Sequence, residues 1–358
     1  MAQPAETEFT LDTAAELAAG EQASAIRGRS PWYLAWRRLR RNYVAFAFLG
    51  LFVLIVVACL LAPVYAHHVA HTGPLTTHVN DKVKVNGVET DVLSQGGVIK
   101  GKLVATIPLG PQWWHAGGKY VLGADSLGRD VAVRLLYGGR NSLIIGIGSS
   151  LLCVFFAVLL SLLAGYFGGW IDFVITRFYD LFYAFPVILL GIALGAALAI
   201  NGFHHFGLNI ESGSIWIPTL VISYVLIPYV GRPIRGQILS LREKEFIEAA
   251  IAQGARPVRI MLSDLLPNIA SSVLVFFTLI IANNIVLEAA LSFLGAGVQP
   301  PQPSWGTLIS DGQDLILTAP YLAIVPGIAI VLTVLSLNIF GDGLRDALDP
   351  RAKVKVEH

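Results

Sequence analysis

Residues 96–103, GGVIKGKL, nearly match the glycine-rich loop that binds nucleotide phosphates. In that loop a serine or threonine follows the lysine and holds Mg²⁺, whereas here Leu103 follows Lys102. The loop also requires a strand before it and a helix after it, and neither is indicated at this position. The sequence therefore predicts a connection within a β-hairpin, and no nucleotide site in this chain.

Metal binding would need several histidine, cysteine or carboxylate side chains close together. Seven of the eight histidines fall in connections between apolar runs, and His67 and His71 would share one face if their segment is helical. That pair is a candidate metal site, but loop histidines without a nearby cysteine more often bind nothing. We predict no metal site. The seven histidines are His67, His68, His71, His78, His115, His204 and His205.

Glu288 stands late in an apolar run, and Asn283 and Asn284 precede it by about one helical turn. A charged group within hydrocarbon is costly and often marks a transport path, where a carboxylate would suit the ammonium group of a solute. The alternative is a hydrogen bond between helices that only stabilises the fold. The residues alone leave both open, and these three are the candidate pathway residues.

The elements that position these groups are apolar. The 358 residues are 55% hydrophobic and only 14% charged, with a mean hydropathy of +0.66, whereas soluble domains carry about 25% charged residues. A membrane-spanning helix needs about 20 apolar residues. Cys59 and Cys153 lie inside such runs, which argues against a disulfide. Six spans are predicted, at 43–64, 141–164, 178–200, 215–234, 269–293 and 321–340.

The distribution of Lys and Arg predicts the orientation. Arginines are dense before the first span and basic residues recur between the fourth and fifth spans and after the sixth, whereas 201–214 and 294–320 contain neither residue. Both termini are therefore expected in the cytoplasm of a multi-pass protein of the cell (inner) membrane. The net charge of +1 gives no indication of nucleic-acid binding.

The chain divides into a tail with an interfacial helix, a first span, a polar insert, a core and a second tail. Within the insert, Asn86-Gly87 stands between alternating polar and apolar residues, which is a strong hairpin signal, and the following VIKGKLVATIPL predicts one or two further strands. We predict a small extracytoplasmic β-rich insert. The units are 1–42, 43–64, 65–119, 120–341 with five spans and a cytoplasmic loop at 236–267, and 342–358.

Within that loop, Leu241 to Gln253 lacks proline and glycine and predicts one helix. Phe246, Ala249, Ala250 and Gln253 would share a face. Gly254 suits a left-handed cap, and Pro257 suits the first turn of a second helix that runs to Pro267. The result is a helical hairpin, either a docking element or an amphipathic connector between two spans.

Glu248-Ala249-Ala250, then Gly254, then Leu266-Pro267 resemble the EAA loop of membrane subunits of binding-protein-dependent ABC importers. In that family the loop couples the subunit to a groove of a cytoplasmic ATPase. The resemblance implies an ATPase-coupling role for Glu248, Ala249, Ala250, Gly254, Leu266 and Pro267.

Residues 122–130, LGADSLGRD, resemble a signature of the dipeptide, oligopeptide and nickel branch of that family, except that Ala124 stands where Thr is usual. The runs at 137–143, 291–300 and 340–350 match the same branch in order, and the C-type permease subunit is the most similar. The long insert is a departure from its pattern. We expect Arg129 and Asp130 to pair locally. The external signature residues are Gly123, Asp125, Gly128, Arg129 and Asp130.

This resemblance implies an all-α polytopic fold with six transmembrane helices of the ABC importer permease type. It implies half of a pore for dipeptides or oligopeptides, a second, B-type permease subunit, two ABC ATPase subunits that bind ATP and Mg²⁺, and an extracytoplasmic solute-binding protein. The chain itself would be non-catalytic and hold no cofactor, with lipid as its other partner.

Other functions remain open at this point. Nickel or another small solute is an alternative cargo within the family. A gradient-driven secondary transporter would need charge relays in several spans, and Glu288 is almost alone. A membrane scaffold or sensor would have no need of the EAA-type loop.

Overall fold

A computed structural model describes residues 31–99, 102–205 and 208–348 of the chain. The predicted tail at 1–30, the end of the second tail at 349–358 and Gly101 of the loop-like segment lie outside the described residues.

Long apolar helices make up most of the described chain. Five are long and apolar enough to cross a membrane, and a sixth crossing results if one bent pair counts as a single span. The predicted all-α polytopic fold is confirmed. In chain order the helices are α1 Pro31–Arg41, α2 Tyr43–Leu60, α3 Ala62–Tyr65, α4 Val131–Phe167, α5 Gly169–Tyr183, α6 Val187–Asn201, α7 Trp216–Arg242, α8 Glu245–Ala252, α9 Pro257–Arg259, α10 Leu266–Phe293, α11 Trp305–Gln313 and α12 Tyr321–Leu348.

Two π-helical turns extend this set: Ala66–Ala70 follows α3, and Ile260–Leu265 joins α9 to α10. The helix from Pro257 to Phe293 is therefore 37 residues long without interruption. At about 1.5 Å per residue it is roughly 55 Å long, well beyond the apolar thickness of a bilayer.

The third predicted span, 178–200, is broken. Helices α5 and α6 meet at 92° across residues 184–186. Pro186 has no amide hydrogen to donate, and it disfavours helical conformation at the residue before it. Ion pairs between Asp172 and Arg235 and between Asp180 and Arg232 hold α5 against α7. A single straight third span is therefore a wrong prediction.

The predicted β-rich insert contains two separate antiparallel hairpins, β1 Lys82–Val85 with β2 Val88–Asp91 and β3 Leu93–Ile99 with β4 Lys102–Pro108. The Asn86-Gly87 turn is confirmed, with φ angles of 51° and 85° that suit a two-residue hairpin loop. A third, unpredicted hairpin pairs β5 Phe203–His205 with β6 Leu208–Ile210.

Helices α4, α7 and α10 form the core, and glycines allow their backbones to approach closely. A Cβ at Gly165 of α4 would lie 2.6 Å from Ile238 of α7. Gly146 of α4 is covered in the same way by Ile285 of α10. Such small-residue contacts are typical of helix packing in membranes. We call the end of this bundle near residues 82–108 the insert side, and the end near 243–265 the hairpin side.

Candidate functional site

The hairpin between α7 and α10 differs from the predicted single helix over Leu241–Gln253. Helix α7 ends at Arg242, Lys244 is extended with φ −91° and ψ 145°, and α8 begins at Glu245. The break turns Ile247 inward, where it is fully buried in the same core cluster as Ile260. Sequence reasoning missed this anchor, because Ile247 is one of several apolar residues in a short helix.

The turn at Gly254 is confirmed as a left-handed cap, with φ 76°. The Gly254 amide donates to the Ile251 carbonyl at 2.9 Å, and the Ala255 amide donates to the Ala250 carbonyl at 3.1 Å. These two bonds form a Schellman motif, which satisfies carbonyl groups at the end of α8. An added Cβ at Gly254 would meet no atom within 4 Å, so backbone conformation alone requires the glycine.

The hairpin displays most of its predicted coupling residues. Glu248, Ala249, Gly254 and Pro267 are exposed, and Ala250 and Leu266 are half-buried. Pro257 begins α9 as predicted, but that helix does not end at Pro267 and instead continues into α10. The π-helical turn directly before α10 has a wider hydrogen-bonding pattern, which accommodates the missing amide hydrogen of Pro267.

One face of α10 lines two cavities that follow each other along the helix. The cavity nearer the hairpin side has a volume of about 400 Å³ and takes Ser271, Ser272, Val275, Phe276 and Leu279 from α10. The cavity nearer the insert side has about 290 Å³ and takes Ile280, Asn283, Val286, Leu287 and Ala290. The spacing of three and four residues places these side chains on one stripe. We call this stripe, with its borders on α6, α7 and α12, the α10 groove.

The candidate pathway residues do not lie together. Asn283 is exposed in the α10 groove, and its side chain makes no hydrogen bond within the described ranges. Glu288 lies five residues further on, which is about 140° around the helix, and it is fully buried. The expectation that Glu288 lines a path is therefore not met, because its side chain points into the helix bundle.

Glu288 and Asn284, which are both fully buried, make hydrogen bonds inside the protein instead. The Ser292 hydroxyl donates to Glu288 Oε1 at 2.6 Å and accepts from the Val298 amide at 2.9 Å. The fully buried Asn284 amide is hydrogen-bonded to the hydroxyls of Ser149 and Ser150. The bonds at Glu288 and Ser292 lie within α10 and the loop that follows it, and Oε2 of Glu288 has no hydrogen-bond partner among the described residues, so the expected bond from Glu288 to another helix is not found.

The external signature forms a buried network of charges at the insert side. Oδ2 of Asp125 accepts from Arg129 Nε at 2.7 Å and from Arg134 Nη1 at 2.6 Å. Arg134 also reaches Asp311 of α11 at 3.1 Å. Oδ1 of Asp125 accepts from the amides of Leu127 and Arg129. Sequence reasoning missed Arg134, near the start of α4, and Asp311 of α11, because the two residues are far apart in the sequence.

Asp130 does not pair with Arg129, so that prediction is wrong. Asp130 is the N-cap of α4 and accepts from the amides of Ala132 at 2.9 Å and Val133 at 3.2 Å. Its other oxygen accepts from the Tyr120 amide at 2.6 Å. Burial raises the pKa of Asp130, against the lowering effect of these three amides. Burial also raises the pKa of the nearby Tyr120 to about 12.

The two signature glycines fit places where no side chain does. A Cβ at Gly123 would lie 2.8 Å from the Leu109 carbonyl oxygen and from the Tyr321 ring, and φ there is 88°. A Cβ at Gly128, with φ 72°, would lie 2.5 Å from the His78 carbonyl oxygen. The signature is thus a compact loop that joins the insert to the start of α4.

The candidate metal pair is not arranged as predicted. His67 lies in the π-helical turn, but His71 follows it in a left-handed conformation with φ 51°, so the two do not share a helical face. Among the described residues there is no group of three or more potential metal ligands. Cys59 and Cys153 are buried free thiols.

A bundle of membrane-length helices, a groove on one helix face and an exposed hairpin continuous with that helix together define a membrane-spanning transport subunit. Two family models match the chain, "Binding-protein-dependent transport system inner membrane component" at residues 157–354 and "N-terminal TM domain of oligopeptide transport permease C" at residues 30–80. The chain belongs to the family of binding-protein-dependent transport system inner membrane components, as the sequence motifs predicted.

Curated relatives cover nearly the whole chain. The "Glutathione transport system permease protein GsiD" of Pectobacterium atrosepticum is 38% identical over 91% of this chain and 93% of its own length. The "Dipeptide transport system permease protein DppC" of Alkalihalophilus pseudofirmus is 35% identical over 90% of this chain and 91% of its own length.

Proposed function

We propose that this permease forms half of the translocation pore of an ATP-driven importer for dipeptides or oligopeptides. The relatives named above are permeases of glutathione and dipeptide transport systems. The observation that carries the proposal is the unbroken helix Pro257–Phe293, which begins in the exposed hairpin and forms the floor of the α10 groove. A force applied to the hairpin is therefore delivered to the groove without a flexible joint.

The hairpin surface suits a partner protein. Phe246, Ile251 and Val258 expose 43%, 54% and 60% of their surface, and the small Ala249 lies between them. Exposed apolar groups so close together on a polar segment are characteristic of interaction sites. In our proposal two cytoplasmic ABC ATPase subunits bind ATP and Mg²⁺. One of them seats α8 and Gly254, and its closure moves α10.

The α10 groove suits a solute path. The cavity nearer the insert side is lined by apolar side chains, together with Asn283 and the half-exposed Tyr229. A groove with this lining tolerates varied side chains, and the amide of Asn283 can both donate to and accept from a peptide backbone. A second, B-type permease subunit closes the open side of the groove. Because Asn283 faces the groove and Glu288 is buried, the pathway role falls to Asn283.

The remaining partners follow from the orientation. Lys244, Arg256 and Arg259 in the hairpin and four arginines in α1 favour the cytoplasmic side for the hairpin and for both termini. The insert then faces outward, where an extracytoplasmic solute-binding protein delivers the solute. The chain needs no cofactor of its own for this role.

The test is Gly254→Val in the complete complex, reconstituted in vesicles with its binding protein. A β-branched residue at φ 76° strains the turn by about 1–2 kcal/mol or more, so the hairpin is displaced. We expect loss of labelled dipeptide import and of the ATP hydrolysis that binding protein stimulates. Gly236→Val is the matched control, because Gly236 lies in α7 with no atom near its Cβ and no positive φ.

Import at the wild-type level in Gly254→Val would remove the coupling role from the hairpin. The cargo is identified separately, by mass spectrometry of solute that co-purifies with the complex. Recovery of a metal ion or a non-peptide solute, with no import of dipeptides, would contradict the peptide assignment.

A further inference from the structure

The two cavities of the α10 groove differ in charge. The one nearer the hairpin side is bordered by Gln237 of α7 and by Arg345 of α12, with Ser271 and Ser272 on α10. Arg345 is the single charged residue among the described residues that line either cavity. Four hydrogen-bond donors from three helices therefore converge on one end of the groove.

Arg345 is available to a ligand. It is exposed, and no acid within the described ranges lies at ion-pair distance from it, although Asp342 and Asp346 stand on the same helix. A guanidinium group presents five N–H donors in a plane and matches the two oxygens of a carboxylate. Serine hydroxyls and the glutamine amide supply further donors. This donor set is suited to an oxyanion and poorly suited to an ammonium group.

We infer that Arg345, with Ser271, Ser272 and Gln237, binds the terminal carboxylate of the transported peptide at the exit of the pore. This inference rests on the proposed function, and it adds a second binding site to the path, after the one at Asn283. Eleven residues separate Ser272 from Asn283, about 16 Å along the helix. An extended dipeptide spans only about 7 Å, so the solute leaves Asn283 before its carboxylate reaches Arg345.

The neighbouring residues of the exit cavity fit the rest of the ligand. Val275, Phe276 and Leu279 continue the groove from the two serines toward Asn283. A peptide that enters from the insert side with its carboxylate leading would place its side chains on this apolar stretch. While its carboxylate is bound to Arg345, the peptide stays in the exit cavity. It is released once water from the hairpin side hydrates the carboxylate.

The experiment approaches the exit directly and so avoids the selectivity of the binding protein. Val275→Cys, which lines the same cavity but supplies none of the proposed donors, is introduced in a chain that lacks Cys59 and Cys153, and the complete complex is placed in phosphatidylcholine vesicles with the hairpin side accessible. The rate of modification by a thiol reagent is measured with alanyl-alanine or alanyl-alaninamide present. At twice the dissociation constant, a bound ligand slows modification about threefold by mass action.

We expect protection by alanyl-alanine, none by the amide, and loss of protection in Arg345→Gln with retention in Arg345→Lys. Ser263→Cys is the control, because Ser263 is exposed near the start of α10 but does not line the groove. Its modification should not respond to either compound.

Two results would overturn the inference. Equal protection by the dipeptide and its amide would show that the cavity does not recognise the carboxylate. Protection by added phosphatidylglycerol but not by alanyl-alanine would make the cavity a site for a lipid phosphate. Import of labelled dipeptide by the same vesicles is measured in parallel. Import without protection contradicts only the exit site, whereas absence of import by the unmodified complex contradicts the proposed function.

Discussion

Asp125→Asn is expected to destabilise the folded chain strongly. The Asp125, Arg129 and Arg134 side chains are only 4%, 11% and 3% exposed, and one carboxylate oxygen serves both guanidinium groups. Without that charge, Arg134 keeps only Asp311, whose side chain is 44% exposed. Removal of one partner from a buried ion pair costs about 3–5 kcal/mol. At about 2–4 °C per kcal/mol, the melting temperature should fall by roughly 6–20 °C.

The matched variant is Asp311→Asn. Its exposed carboxylate is the second partner of the same arginine, and loss of such an exposed pair costs at most about 1 kcal/mol. The two substitutions make the same chemical change on the same network, so the difference between them isolates burial.

The assay uses the chain's own thiols. Cys59 and Cys153 are buried and free, so a thiol-reactive dye should label this chain only when it unfolds. The purified complex is heated in steps, labelled briefly and resolved on a denaturing gel, which separates this subunit from its partners. Equal melting temperatures for Asp125→Asn and wild type, or equal losses for Asp125→Asn and Asp311→Asn, would refute the reasoning.

Three further outcomes are expected. Glu288→Gln should keep import and stability, because the amide preserves the shape of the side chain and the hydrogen bond from Ser292. Glu288→Ala should lower the free energy of unfolding by about 2–4 kcal/mol, because it leaves a cavity and removes the partner of Ser292, and the same heating assay measures this loss. Burial raises the pKa of Asp130, so its neutral form is favoured by folding. Its contribution to stability should decline as pH rises above the ordinary value of 3.8, and Asp130→Asn should flatten that decline. In a chain without native cysteines, an impermeant reagent on intact cells should label Lys84→Cys but not Lys244→Cys.

Each outcome has a contrary result. Lost import in a well-assembled Glu288→Gln complex would restore the carboxylate to the pathway. An unchanged pH profile in Asp130→Asn would assign the dependence to other groups. Labelling at position 244 alone would reverse the proposed orientation.

Local signals in the sequence predicted much of the fold. Long apolar runs located the spans, Asn86-Gly87 located a hairpin turn, and Gly254 located a helix cap, because each depends on residues close in sequence. The bend at Pro186 was missed because spans tolerate proline. Ion pairs and aromatic contacts between α5 and α7 hold α5 at its angle, and they join residues far apart in the sequence.

The candidate site was harder to predict, since it depends on which way each helix faces. A lone acid such as Glu288 gives no periodic signal that separates a groove from a core, and helix α10 is apolar on nearly every side. The network around Asp125 was hidden for a different reason. Arg134 and Asp311 are 177 residues apart, and no local pattern connects residues at that separation.

Helix α2 has a consequence for how this protein is made. Only 11% of its membrane-length window is buried, and it packs chiefly against α12, where Gly343 fits against Ala45 and Ala347 joins the cluster of Leu39. The first span to leave the ribosome thus finds its main neighbour only when the last span is complete. Until then its contacts with α4, where Cys59 lies against Gly139, are available to it, and its uniformly apolar surface suits the surrounding lipid. The contact between α2 and α12 is then among the last to form, and a chain that ends before α12 would leave α2 without its main neighbour.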